Sequence, residues 1–186
     1  CLYICYNRAL ADLMVSIAPQ SVAVMTFHEV CVDHARRAGW EPDFAQTNIY
    51  QDLVNRFLSD INNLAPYWDI VILDETQDFE PAWVEAVLIG LKENGKAYLM
   101  GDPSQQVYDR ESFDIPDAVR VCCMDNFRSP RKVVDAINQL QLTEKAVIAR
   151  SVFGGDSPGF MTYSPGKVNV VTAVQTCVKK ILADGR

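Results

Sequence analysis

Short apolar runs alternate with longer amphipathic stretches along most of the chain. Strand-like runs read LYICY (2–6), SVAVM (21–25), DIVILD (69–74), KAYLMG (96–101) and VRVCCM (119–124). They are rich in β-branched and aromatic residues and separated by helical periodicity. The clearest helix spans 46–64, where Ile49, Leu53, Phe57, Ile61 and Leu64 recur on one face. A second spans 81–93, opening on Pro81 and closing at Asn94 and Gly95. Alternation of this kind predicts an α/β fold, a parallel sheet flanked by helices.

That architecture gives one stretch a special position. In an open parallel sheet the ligand site lies beyond the carboxyl ends of the strands. VILDETQDF (71–79) carries a run apolar enough for a central strand straight into Asp74 and Glu75. KAYLMG ends in the same way, in Gly101 and Asp102, followed by the polar loop PSQQ and Tyr108. Two neighbouring strands are thereby expected to place polar groups at one rim. Nucleoside triphosphate hydrolysis uses such a rim: one acid holds a magnesium ion through its waters, and a second carboxylate orients the attacking water. Taken alone, the acidic pair also fits a solvated turn.

Composition adds boundaries. The 186 residues allow one full core, or one core plus part of another, and 49% of them are apolar. No stretch approaches the roughly 18 uninterrupted apolar residues of a membrane span, so the chain reads as soluble and cytoplasmic. It lacks an initiator methionine, and Cys1 already begins a strand-like run, the pattern of an excised fragment. The six cysteines show no paired zinc spacing and read as reduced, buried thiols. His28, Cys31 and His34 of HEVCVDH (28–34) drift around a helix axis with no fourth ligand nearby, so a zinc site is rejected. A net charge of -7 argues against coating nucleic acid by charge alone, while leaving room for a local basic groove.

Three segments carry a family resemblance. DETQDF (74–79), GDPSQQVYD (101–109) and NFRSPRKVVDAIN (126–138) resemble motifs II, III and IV of the UvrD/Rep family of superfamily 1 helicases, in the family's order. CYNRAL (5–10) resembles motif Ia, and TFHEVC (26–31) is similar to the Thr-Phe-His segment of motif Ib. The resemblance implies a RecA-like domain of the P-loop NTPase type over residues 1–124. It implies an interdomain segment and the start of a second RecA-like domain over 125–186. It implies ATP and Mg as cofactors, with Asp74 as the magnesium residue and Glu75 as the catalytic base. Asp102 would line the nucleotide, Gln105 would sense the terminal phosphate, and Arg128 would reach that phosphate from the second domain as an arginine finger. Outside that context, Arg128 fits a surface ion pair as well.

Tyr6, Asn7, Arg8, Thr26, Phe27, His28 and Tyr108 match positions that, by the same resemblance, line a track for single-stranded DNA or a single/double-strand junction. Aromatic rings stack on bases of any sequence, and polar groups at strand ends hold phosphates. Phe27 and Tyr108 equally fit core positions. Ser129 and Pro130 read as the cap and first residue of a helix that buries Val133, Val134, Ile137 and Leu140.

The departures matter too. No G-x-x-x-x-G-K-[ST] loop occurs in the sequence, and motifs V and VI are missing. Thr76 stands where Tyr or Ala is common, and Asp109 with Arg110 replaces the usual aromatic and basic pair. The interval from His28 to Asp74 is too short for a large accessory insertion, so a compact first domain is expected. By the same resemblance the absent motif I strand would lie inside the sheet, so the expectation is either a gap that another chain or a rearranged strand fills, or a piece of only marginal stability. The expected function is part of an ATP-dependent DNA helicase or translocase, with this piece alone inactive. The alternatives are a noncatalytic nucleic-acid-binding module with a degenerate core, and a metal nuclease. The nuclease is disfavoured because the acids crowd one turn instead of coming from distant elements.

Overall fold

In the computed structural model, which describes residues 1–63, 65–105, 115–160, 162, 164, 166 and 169–183, four strands form one parallel sheet. They are β1 (Leu2–Cys5), β2 (Ala23–Thr26), β3 (Trp68–Leu73) and β4 (Leu91–Leu99), in the spatial order β2-β1-β3-β4. Leu2 pairs with both Ala23 and Val71, and Leu73 pairs with Leu99. The four strands are hydrogen-bonded without interruption, so the gap expected from the absent motif I strand does not lie between them. The result is α/β architecture consistent with a RecA-like fold.

All four residues of β1 are buried, because strand neighbours flank it and helices cover both faces. Leu2 and Ile4 turn to the larger core, with Val71 and Leu73 of β3 beside them. Tyr3 and Cys5 turn to the other face, where α1 (Arg8–Ile17) packs Ala11, Leu10 and Met14 against them. The larger core is closed by α2 (Phe27–Arg37), α3 (Ile49–Ser59) and α4 (Pro81–Ile89). Its centre is aromatic: Phe27 stacks on Trp83 at 4.5 Å, and Phe57 and Phe79 meet the Phe27 ring edge-on.

After β1 and β2 a polar side chain ends the strand and starts the helix, and a proline opens α4. The Asn7 side chain accepts from the amides of Ala9 and Leu10 and starts α1. Thr26 and Glu29 form a reciprocal capping box at the head of α2. Pro81 occupies the first turn of α4.

Several elements differ from expectation. The stripe Ile49, Leu53, Phe57 is buried in α3, but the helix ends at Ser59; Ile61 lies in a separate 3-10 turn, and Leu64 is outside the described residues. Helix α4 stops at Ile89, not at residue 93, because Leu91 pairs with Trp68 and enters the sheet. Residues 119–124 form no strand: Val119 is 92% and Val121 87% exposed, and the run pairs with no strand among the described residues.

The chain divides into two compact units, Cys1–Ala118 and Val119–Arg186. The second holds a short parallel pair, β5 (Asp125–Asn126) and β6 (Ile148–Ala149), with α5 (Arg131–Gln139) and α6 (Val170–Ala183). Asn138 of α5 brackets Val147, donating to its carbonyl at 2.9 Å and accepting from its amide at 2.8 Å. Arg131 donates to the Ser151 carbonyl at 3.0 Å. Helix α5 begins one residue later than expected, with Pro130 as its cap. Val134 is buried as the periodicity predicts, whereas Leu140 is exposed. No helix among the described residues is long and apolar enough to cross a membrane.

Candidate functional site

Strand β3 hands its last residue to a turn held from both sides. The Asp74 amide donates to the Ile4 carbonyl of β1 at 2.9 Å, and the Thr76 amide donates to the Met100 carbonyl beyond β4, also at 2.9 Å. Between these anchors Glu75 adopts a left-handed conformation, φ 56° and ψ 47°. A non-glycine residue there costs roughly 1–2 kcal/mol, and such strain gathers where a side chain must be aimed.

The Asp74 carboxylate is oriented by two donors. Its Oδ1 accepts from the Glu75 amide at 3.0 Å, and its Oδ2 accepts from the Tyr3 hydroxyl. Burial raises the Tyr3 pKa above the usual phenol range, and the hydrogen bond to Asp74 raises it further. Tyr3 is therefore a firm donor at neutral pH.

The DETQDF turn is wired to the loop after β4. Gln77 donates to Glu75 Oε2 at 2.7 Å, and its own Oε1 accepts from the Asp102 amide at 3.0 Å. The Asp102 carboxylate in turn accepts from the Ser104 amide at 2.9 Å and from Gln105 Nε2 at 2.7 Å. A continuous chain of hydrogen bonds thus runs Glu75–Gln77–Asp102–Gln105. The two segments approach so closely that a Cβ on Gly101 would lie 2.3 Å from Thr76 Oγ1. Asp74, Glu75, Asp102 and Gln105 therefore share one rim at the carboxyl ends of β3 and β4. Sequence reading overlooked Gln77 and Tyr3. Gln77 stands inside DETQDF and could have been noticed; Tyr3 gave no signal beyond a polar atom in an apolar strand.

Arg128 belongs to the second unit, with its side chain exposed and its amide donating to Asn126 Oδ1 at 3.1 Å. Tyr108 lies outside the described residues.

At the other end of the rim, the residues singled out for DNA already have local tasks. Asn7 and Thr26 are helix caps. Arg8 pairs with Asp12 at 2.9 Å and with Glu29, the acid of the capping box. Tyr6 is partly buried, its ring near-parallel to Trp83 at 6.5 Å. The reading of Phe27 as a base-stacking ring is corrected: it is 1% exposed, with one face against Trp83. His28 meets Tyr50 and Trp83 edge-on, and burial lowers its pKa, so it enters this region as a neutral imidazole. Exposed aromatic surface comes from residues the pattern did not mark, Tyr50 and Phe44, whose rings lie 6.1 Å apart.

Of the rejected zinc trio, Cys31 is fully buried with its pKa pushed up to about 12 by burial, and His34 bonds Asp60 at 3.0 Å. Among the described residues no three His, Cys, Asp or Glu side chains converge as a metal cage. A magnesium ion held through water by one fixed carboxylate, with ligand phosphates completing its shell, needs no such cage, and Asp74 fits that part. An open cleft of about 550 Å³ lies elsewhere, lined by Trp40, Asp52, Asn55, Arg56, Ser59 and Asp60, and includes none of the rim residues.

Comparison with known proteins adds one similarity. The chain is 29% identical over 93 residues to RecBCD enzyme subunit RecB of Chlamydia pneumoniae, covering 43% of this chain and 9% of that subunit. The chain thus spans a small part of the length of the curated relative it matches. No family model matches.

Proposed function

We propose that this chain is part of an ATP-dependent DNA helicase or translocase, supplying most of the first motor domain and the opening of the second. The observation that carries the reading is the hydrogen-bonded rim itself: two acids at a strained strand end, joined through Gln77 to Asp102 and Gln105 on the neighbouring strand's loop. A solvated acidic turn has no need of such wiring. The similarity to RecB agrees with a helicase-related role in DNA processing.

In this reading Asp74 would hold magnesium through water, Glu75 would take the proton of the attacking water, and Gln105 would sense the terminal phosphate from the loop it shares with Asp102. Bound magnesium supplies positive charge against the phosphate oxygens. Arg128 adds a planar cation from the second domain. Single-stranded DNA runs over the rim near Arg8 and His28, with Tyr50 and Phe44 as exposed rings close by. The phosphate-cradling loop has to come from outside these residues, since the sequence contains no such motif.

The test is ATP hydrolysis by the complete protein encoded by the reading frame that carries this chain. Hydrolysis stimulated by single-stranded DNA is expected. Glu75→Gln should preserve nucleotide binding and lower kcat by about a hundredfold or more, because the amide keeps the shape but takes no proton. Arg128→Ala should depress kcat in the same way. Hydrolysis by the Glu75→Gln protein at the unmutated rate would remove the assignment. Nucleic-acid binding without any hydrolysis would favour the noncatalytic module instead.

A further inference from the structure

We propose that Tyr3 is a positioning residue for the magnesium-holding carboxylate, its hydroxyl locking Asp74 into the one rotamer that faces the rim; this rests on the function proposed above. Tyr3 pairs with Ile72 in the sheet register, so its side chain starts two residues short of Asp74 and reaches along the strand direction to Oδ2. Tyr3 belongs to a small apolar core with Cys5 and Ala11, against which Leu10, Met14, Val22, Val24 and Ile72 pack, and a phenylalanine ring would fill the same space. A hydroxyl buried there without a partner would be costly. Asp74 is the partner, 71 residues away in the chain.

The consequence lies in what is left of the carboxylate. The Glu75 amide occupies one lone pair of Oδ1, and Tyr3 occupies one of Oδ2. Two donors, one from β1 and one from the turn that follows β3, fix the carboxylate plane and leave one lone pair on each oxygen for metal-bound water. Tyr3 stands on β1, between β2 and β3, where the backbone has least freedom to shift. Neither its burial nor its packing requires this hydroxyl; aiming Asp74 does.

Two experiments test it. The first uses this chain without nucleotide or metal, in a double-mutant cycle on urea unfolding with Tyr3→Phe and Asp74→Ala. The two changes should be non-additive by about tenfold to a hundredfold in the unfolding constant, as for a hydrogen bond to a charged group. The second uses the complete protein and measures ATP turnover against Mg2+. Tyr3→Phe should raise the Mg2+ concentration for half-maximal turnover by about tenfold or more, with KM for ATP at saturating Mg2+ little changed. Additive unfolding effects, or an unaltered Mg2+ dependence, would overturn the role of Tyr3 while leaving the proposed function in place. A complete protein that hydrolyses no nucleotide at any Mg2+ concentration would overturn both.

Discussion

Replacing Gly101 by alanine would place a methyl carbon 2.3 Å from Thr76 Oγ1, 2.8 Å from Gln77 Oε1 and 3.3 Å from the Thr76 amide nitrogen. Gly101 does not have a positive φ, so the penalty is one of space and not of backbone conformation. Gln77 can withdraw its amide, but doing so breaks its bond to the Asp102 amide, worth about 1 kcal/mol. Thr76 is branched at Cβ and anchored through its amide to the Met100 carbonyl, so its oxygen clears the methyl only by a change of rotamer or a backbone shift. Overpacking of this kind costs about 1–3 kcal/mol, against a gain of about 0.4–1 kcal/mol from stiffening the unfolded chain. The net expectation is a loss of about 2 kcal/mol, read as a lower urea midpoint at unchanged slope. Adding Thr76→Ala removes the nearest atom and should restore at least half of the loss. If Gly101→Ala unfolds within about 0.5 kcal/mol of the parent, or Thr76→Ala gives no rescue, the close approach of the two rim segments is refuted.

Two further outcomes follow from buried groups. Because burial lowers the His28 pKa, the unfolded chain takes up a proton near pH 6.5 that the native ring resists. The stability His28 contributes is complete above that pH and is lost as pH falls toward the native-state value. Urea unfolding from about pH 7.5 to about pH 5.5 should show a drop that His28→Gln makes smaller, and an equal drop in both proteins would contradict the assignment. Burial pushes Cys5 up to about 11 and Cys31 up to about 12, whereas Cys122 and Cys123 are exposed. A neutral-pH thiol reagent followed by mass mapping should modify the exposed pair in the native protein and reach Cys5 and Cys31 only after denaturation; comparable rates would refute the burial.

The stretches legible in the sequence are those whose local pattern and long-range environment agree. β1 and residues 70–73 of β3 are apolar on both faces because both faces are covered, and the expected strands match them to within a residue at each end. The stripe Ile49, Leu53, Phe57 was read because a helix needs no partner to set its period. VRVCCM failed because strand-like composition forms a strand only beside another strand, and residues 119–124 have none among the described residues. The expected helix runs past the end of α4 because AVLIGLK satisfies either period, and pairing of Leu91 with Trp68 decides in favour of the strand. Phe27 shows the same limit, since an aromatic residue at a strand end fits a base or a core, and Trp83 claimed its face.

By itself the sequence determined the alternation that builds a parallel α/β sheet, the carboxyl-end location of Asp74 and Glu75, and the proline that opens α4. These are local properties, set by spacings of a few residues and by the backbone groups nearest to them. Only the tertiary structure decided which donors meet those acids. Tyr3 reaches Asp74 across 71 positions and Gln77 reaches the Asp102 amide across 25. Hydrogen bonds over such separations depend on strand register and on the missing side chain of Gly101, and neither leaves a periodic trace in the chain.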